Sequence, residues 1–175
     1  TQYAARGADV PLLWATTPSA VGVIIAAASP SGLVAVRIGA DRAMLIKEIV
    51  EEFPSSELAE DPEAMSDVLL ALRALARGDT APDLPLDVRG TAFQARVWEA
   101  LRRIPHGATT TYTDVAESLD APHAVRAVAG ACARNRVALV VPCHRVLRRD
   151  GSLAGYAWGL EVKEQLLEAE ASSAG

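Results

Sequence analysis

The chain holds two cysteines, Cys132 and Cys143, and three histidines, His106, His123 and His144. Two of the five are adjacent. In LVVPCHRVLRRDG, residues 139–151, an apolar run ends at Pro142, Cys143 and His144 follow, and Arg145, Arg148 and Arg149 come close behind. A free thiol, with a pKa of about 8.5, becomes a good nucleophile only as the thiolate, so it needs a base or positive charge nearby. An imidazole supplies the base, and a carboxylate that orients the ring completes a nucleophile–base–orienter set. Neighbours in an extended segment face opposite ways, so His144 is expected to reach Cys143 through a water rather than directly. Candidates for the carboxylate lie in LEVKEQLLEAEA: Glu161, Glu164, Glu168 and Glu170. The plainer alternative, and the one composition alone favours, is that Cys143 is a small core residue, as free cysteines usually are. For Cys132, in an alanine-rich stretch with no base beside it, that alternative is preferred more strongly still. The scattered cysteines and histidines have no metal-ligand spacing, so no metal site is expected.

Several elements must position this thiol. VALVV, residues 137–141, reads as a buried strand that Pro142 ends, since proline lacks an N–H donor. PHAVRAVAGACARN reads as a helix that starts at Pro122 and ends near Asn135, with almost no bulk along it. Such a helix can pack tightly in a core or enter a narrow groove, with Arg126 as its one long side chain. TYTDVAESL is a shorter helix, capped by Thr111. The tight DAP connection between these two suggests a helix-turn-helix, with an ordinary helical hairpin as the alternative. TAFQARVWEALRRIPHG is a helix capped by Thr91, with Phe93, Val97, Trp98 and Leu101 on one face and Gly107 as terminator. Upstream, VGVIIAAA and GLVAVRIG form a hairpin about SPSG. DRAMLIKEIVEEF is a helix capped by Asp41, with Met44, Leu45, Ile49, Val50 and Phe53 at helical spacing. DPEAMSDVLLALRALARG is a helix with Pro62 in its first turn and Gly78 as its stop. DTAPDLPLDVRG, residues 79–90, reads as a linker.

Totals narrow the function classes. The 175 residues are half hydrophobic with net charge −5, which taken whole argues against nucleic acid. The halves differ, however. Residues 1–85 carry 6 basic and 12 acidic groups, and residues 86–175 carry 11 and 10, so an anionic partner belongs with the second half. No apolar stretch approaches the roughly 20 residues of a membrane helix. Two thiols are a poor basis for a secreted disulfide scaffold, so both are expected reduced and the chain cytoplasmic. Without heptads or a large apolar stripe, a monomer is expected. The chain starts at Thr1 rather than Met, as a fragment or processed product would.

PCHRV, with RAVAGACARN before it and GYAWGLEVKEQLLEAE after it, resembles the O6-alkylguanine-DNA alkyltransferases. The likeness is greatest to the alkyltransferase part of the bacterial adaptive-response proteins. It is specific across residues 86–175 and weaker across 1–85. It implies an α+β fold: an N-terminal domain, 1–85, with a small antiparallel sheet, then a winged-helix-like DNA-binding and alkyl-acceptor domain, 86–175. The implied activity is irreversible, single-turnover transfer of an alkyl group to Cys143. The group comes from O6-alkylguanine, or from O4-methylthymine, in double-stranded DNA bound through its minor groove, with the nucleotide flipped out. The resemblance makes His144 the base, Glu170 its orienter and Asn135 the brace of the active-site turn. It sets Tyr112 against the target nucleotide and Arg126 into the vacated place, with Ala127, Gly130 and Ala131 as the thin DNA-facing surface. It makes the carbonyls of Cys143 and Val146 acceptors for the guanine amino group, and closes the pocket with Tyr156 and Ala157. No metal or organic cofactor is implied. Trp158, bulky beside this pocket, is expected to narrow it in favour of methyl over benzyl groups.

The physical reading supports that assignment. O6 of a paired guanine lies inside the stack, so attack on its alkyl group requires extrusion at a cost of about a few kcal/mol, and hence a plug, an aromatic contact and a deep pocket. Three rivals are weaker. A non-catalytic lesion binder of the same family would lack the acceptor cysteine. A winged-helix regulator would carry several base-reading side chains on its recognition helix. A cysteine hydrolase or thiol peroxidase would turn over repeatedly.

Overall fold

The computed structural model describes residues 10–174. Residues 1–9 and 175, the outer ends of the two expected domains, lie outside the described residues. The helices and strands follow one another as a strand meander, two helices and a strand, then a mainly helical second half.

Strands β1 (Leu12–Ser19), β2 (Gly22–Ser29) and β3 (Gly32–Gly39) form an antiparallel meander, and short β4 (Leu58–Glu60) adds to β1 in parallel. The sheet order is β3-β2-β1-β4, so the sheet is mixed rather than wholly antiparallel. The β2–β3 hairpin stands where SPSG places it. In β2, Ile24 and Ala26 face one core while Ile25 and Ala27 face another. Burial on both faces explains why GVIIAAAS is an unbroken apolar run instead of an alternating one. Strand β1, with Pro18 and three hydroxyl residues, carries no such signal, and only its pairing with β2 reveals it.

Helix α1 (Arg42–Glu52) is capped as expected, with Asp41 accepting from the amides of Ala43 and Met44. Its buried face is Leu45, Ile49 and Phe53, whereas Met44 and Val50 are half exposed. Helix α2 begins at Ser66, not at Pro62, which lies in a preceding turn, and runs to Ala76. Gly78 ends it with φ +86°, and a Cβ there would sit 2.4 Å from the backbone carbon of Ala169. Only glycine lets this turn lie against the last helix, beside Glu170. Residues 79–90 are a pinned strap rather than a free linker. The Leu33 amide donates to Pro85 O (2.9 Å) and the Asp87 amide to Leu33 O (2.8 Å) along the β3 edge.

In the second half, α3 (Ala92–Arg102) has a full capping box between Thr91 and Gln94 and buries Val97, Trp98 and Leu101. Then come β5 (Thr110–Thr111), α4 (Tyr112–Ser118, capped by Thr111) and α5 (Val125–Ala133). Helix α5 starts three residues beyond Pro122. The turn between α4 and α5 contains Asp120 at φ +56°, a conformation aspartate tolerates. The expected strand 137–141 does not form. Only Val137 bridges to Val36 of β3, and Leu139 turns the chain at φ +72°. The run is apolar because it is buried in a turn, and a short apolar run alone does not distinguish a strand from other buried segments. A single 3-10 turn, Cys143–Arg145, leads into β6 (Val146–Leu147), and α6 (Leu160–Ala174) closes the fold. One hydrophobic cluster contains Ile24 and Leu72 from the first half together with Leu101, Val128 and Leu166 from the second.

Candidate active site

Asn135 organises the segment that carries the thiol. It follows α5 and is buried. Its Oδ1 accepts from the Val137 amide (2.9 Å), and its Nδ2 donates to Val141 O (2.9 Å) and to Cys143 Sγ (3.2 Å). One amide side chain therefore staples both ends of a turn that has no strand to hold it, and also touches the Cys143 thiol. Because Cys143 opens a 3-10 turn, the next side chain leaves the segment about 120° around from it.

There His144 meets Glu170 of α6 through its Nε2. Arg145 Nε donates to the other carboxylate oxygen (2.7 Å), and its terminal nitrogen donates to Ile104 O (2.9 Å). All three side chains are buried. Burial opposes ionisation of Glu170, but hydrogen bonds from His144 and Arg145 outweigh it and hold its pKa at about 2. Burial pushes the His144 pKa below its ordinary value, with the Glu170 hydrogen bond acting in the other direction. A neutral ring that donates from Nε2 to an anionic carboxylate has its lone pair on Nδ1. Nδ1 is buried with no protein partner among the described residues, so it is the basic atom.

The thiol faces a cavity of about 500 Å³. Its walls include Tyr112, Cys132, Cys143, Gly155, Tyr156 and Ala157, with exposed Arg148 also on the lining. Pairing of β5 with β6 (Thr110 with Val146, Thr111 with Leu147) brings Tyr112 here, since it directly follows β5. Burial raises its phenol to about 12 and also lifts that of Tyr156 well above the ordinary phenol value, so both are protonated near neutrality. Burial also raises the Cys143 thiol, and the Asn135 hydrogen bond and the charge of Lys163 oppose that rise.

Motif and spacing do not single out Lys163, yet it belongs to the site. It is wholly buried, donating to Val146 O (2.7 Å) and Ala154 O (3.4 Å). It stands two helical turns before Glu170 on the same buried face, with Leu166 between them. A lysine and a glutamate on the apolar face of one helix are the signal that could have found it.

Other expected positions sort as follows. Arg126 and Ala127 are exposed on α5, and at Gly130 a Cβ would meet nothing within 4 Å. Ala131 does not belong to that surface. It is 1% exposed, and its carbonyl accepts from Trp98 Nε1 (2.9 Å), because the helix turns it toward α3. Val146 is buried outside the cavity wall, and its carbonyl already receives Lys163. Trp158 is not on the wall either. It packs edge-on to Tyr156 (ring centroids 5.2 Å apart) and lines a separate groove of about 740 Å³ with Arg37, Glu52 and Arg134. Glu161, Glu164 and Glu168 are exposed, leaving Glu170 as the orienting carboxylate. Arg145 serves the site, while Arg149 is exposed. Among the described residues no cluster of three His, Cys, Asp or Glu could hold a metal, and no helix is long and apolar enough to cross a membrane.

Comparison with known proteins bears on the same residues. The DNA-binding domain of 6-O-methylguanine DNA methyltransferase matches residues 92–172. The bifunctional transcriptional activator/DNA repair enzyme Ada of Escherichia coli is 43% identical over 173 residues, 98% of this chain and 49% of that protein. The chain thus spans about half the length of that relative. The methylated-DNA–protein-cysteine methyltransferase of Mycobacterium bovis is 47% identical over 115 residues, 65% of this chain and 70% of that protein. The crystal structure of Mycobacterium tuberculosis OGT in complex with DNA superposes with a TM-score of 0.77 at 37% identity, covering 91% of this chain and 93% of that one. A thiol on a cavity wall, backed by a buried histidine and glutamate, thus lies in a chain that belongs to the 6-O-methylguanine DNA methyltransferase family.

Proposed function

We propose that this chain reverses DNA alkylation by moving an alkyl group, typically methyl, from O6 of guanine to Cys143, once per molecule. O4-methylthymine is a second substrate. The observation that carries the reading is the placement of Cys143 Sγ on a cavity wall with Asn135 Nδ2 at 3.2 Å. The His144–Glu170 pair sits behind the same turn. A core cysteine needs neither the cavity nor the base.

Burial disfavours the thiolate, so the protein must supply what water would. Asn135 and Lys163 do so from fixed positions. His144 Nδ1 takes the proton through a water, and Glu170 stabilises the imidazolium that results. The thiolate attacks the alkyl carbon in line, the carbon–O6 bond breaks, and the guanine is protonated as it leaves. The Tyr112 phenol, still protonated at neutral pH, is the donor. The thioether has no route back, so the protein is consumed.

DNA meets the outer face of α5. Ala127 and Gly130 leave that face thin enough for the minor groove, about 6 Å wide. Arg126 fills the gap left by the extruded nucleotide, a step that costs about a few kcal/mol. In this reading residues 86–175 form the DNA-binding and acceptor domain, residues 1–85 brace it, and the protein acts as a cytoplasmic monomer. Intact mass after incubation with a duplex carrying one O6-methylguanine tests it. A gain of about 14 Da, mapped to the Cys143 peptide, is expected. Repair of the lesion with the protein mass unchanged would mean turnover and sink the proposal.

A further inference from the structure

Cys132 has no part in the transfer described above; it packs in the hydrophobic core and also reaches the cavity. It is 7% exposed and lines the same cavity as Cys143. Asn135 ties the backbone of Cys132 to the Cys143 thiol. The Asn135 amide donates to the Cys132 carbonyl (3.2 Å), while Asn135 Nδ2 donates to Cys143 Sγ (3.2 Å). Both are free thiols. The charge of Lys163 acts on both, opposing the burial that lifts Cys132 to about 12. The cavity therefore holds one nucleophile that opens the reaction and a second that remains after the first is spent.

We propose that Cys132 is a second, capturing acceptor for two-carbon alkyl groups with a leaving group at the far carbon, such as the 2-chloroethyl group on guanine O6. This role rests on Cys143 being the first acceptor. In the first step Cys143 sulfur bonds to the near carbon, the carbon–O6 bond breaks, and guanine departs protonated. That leaves Cys143–S–CH2CH2–Cl, whose sulfur can displace its own chloride to form a three-membered episulfonium. In the second step Cys132 sulfur attacks a ring carbon and loses its proton to solvent at the cavity mouth. The products are a Cys143–S–CH2CH2–S–Cys132 bridge, chloride and a proton. No oxidant or co-reactant is needed. The consequence is chemical containment: the reactive half-spent adduct closes inside the protein before the DNA or another molecule meets it.

Two duplexes, one carrying O6-methylguanine and one freshly carrying O6-(2-chloroethyl)guanine, separate this idea from the one beneath it. The methyl duplex should add about 14 Da to Cys143 and leave Cys132 free. The chloroethyl duplex should add about 26 Da, leave no free thiol, and yield one peptide pair joined through Cys132 and Cys143. A gain of about 44 Da on Cys143 with Cys132 still free means that water captured the adduct, which overturns the second acceptor and leaves the first intact. No gain with either duplex overturns the first acceptor. In Cys132→Ser and Cys132→Val, each scored against its own methyl transfer, the joined peptide should be absent. A gain of about 26 Da in either variant would assign the bridge to another group and overturn the proposal.

Discussion

Two glutamates among the described residues each bridge two basic side chains, and their surroundings differ in how far they exclude water. Glu52 joins Arg37 of β3 to Arg136, just beyond Asn135, so it ties the first half to the second. Glu170 joins His144 to Arg145 and ties α6 to the acceptor turn. The partners of Glu52 reach water, with Arg37 27% and Arg136 42% exposed. Those of Glu170 do not, with His144 2% and Arg145 10% exposed. Water screens the first set, so losing one member costs little. In the second set the loss of one member leaves a buried charge alone.

The largest expected effect follows from that contrast. Glu170→Gln should lower stability by about 3–5 kcal/mol, because Arg145 keeps its charge in a dry site. It should also slow transfer to Cys143 by about 100-fold, since His144 loses the partner that stabilises its protonated form. Denaturant melts and single-turnover rates measure the two. A loss below about 1 kcal/mol would put Glu170 in the same class as Glu52.

The pH dependence sharpens the same comparison. The Glu170 pKa falls to about 2 in the fold, from about 4.3 in an unfolded chain. A depressed carboxyl stabilises the fold above the unfolded value and loses that contribution as pH drops toward the folded one. The stability gap between wild type and Glu170→Gln should therefore be full at pH 7 and shrink between about pH 5 and pH 2. A gap independent of pH would mean that the lost contribution is steric.

Lys163→Met tests the other side of the thiol. Removing a charge that favours the thiolate should move the pH profile for Cys143 alkylation to higher pH and slow the reaction about tenfold at pH 7. Recovery at alkaline pH distinguishes this from a collapsed pocket. Arg126→Ala should weaken transfer from duplex about tenfold or more and leave reaction with the free O6-methylguanine base unchanged, because only the duplex needs its gap filled. The smallest effect belongs to Glu52→Gln: about 1 kcal/mol or less, with the transfer rate within about twofold of wild type. A large rate loss there would make the first half part of the chemistry, passed on through Arg136 and Asn135.

Legibility differed from element to element. Helix caps at Asp41, Thr91 and Thr111 and the β2–β3 hairpin follow from local residue types, and the structure has each of them. The expected strand at 137–141 is instead a turn, and β1 had no local mark, because only the neighbours decide which buried backbone pairs with which. In the site, Cys143, His144 and Asn135 stand close in sequence, and the resemblance picked Glu170 among four glutamates. Helix phase then sorted what spacing left open. It turned Ala131 toward Trp98, while the turn before α6 set Trp158 edge-on against Tyr156.

Thus the sequence by itself determined the adjacent Cys143–His144 pair, the thin helix with one long arginine, and the motifs by which the chain resembles its family. Each is a matter of residue type at short separation, where covalent connection sets the geometry. Tertiary structure alone decided that Lys163 reaches the thiol turn, that Arg145 shares Glu170 with His144, and that Cys132 opens onto the acceptor cavity. These contacts join segments far apart in the chain, so they depend on the packing of α6 and α5 about the acceptor turn. Burial then gives them their strength, because the same charges in water would be screened.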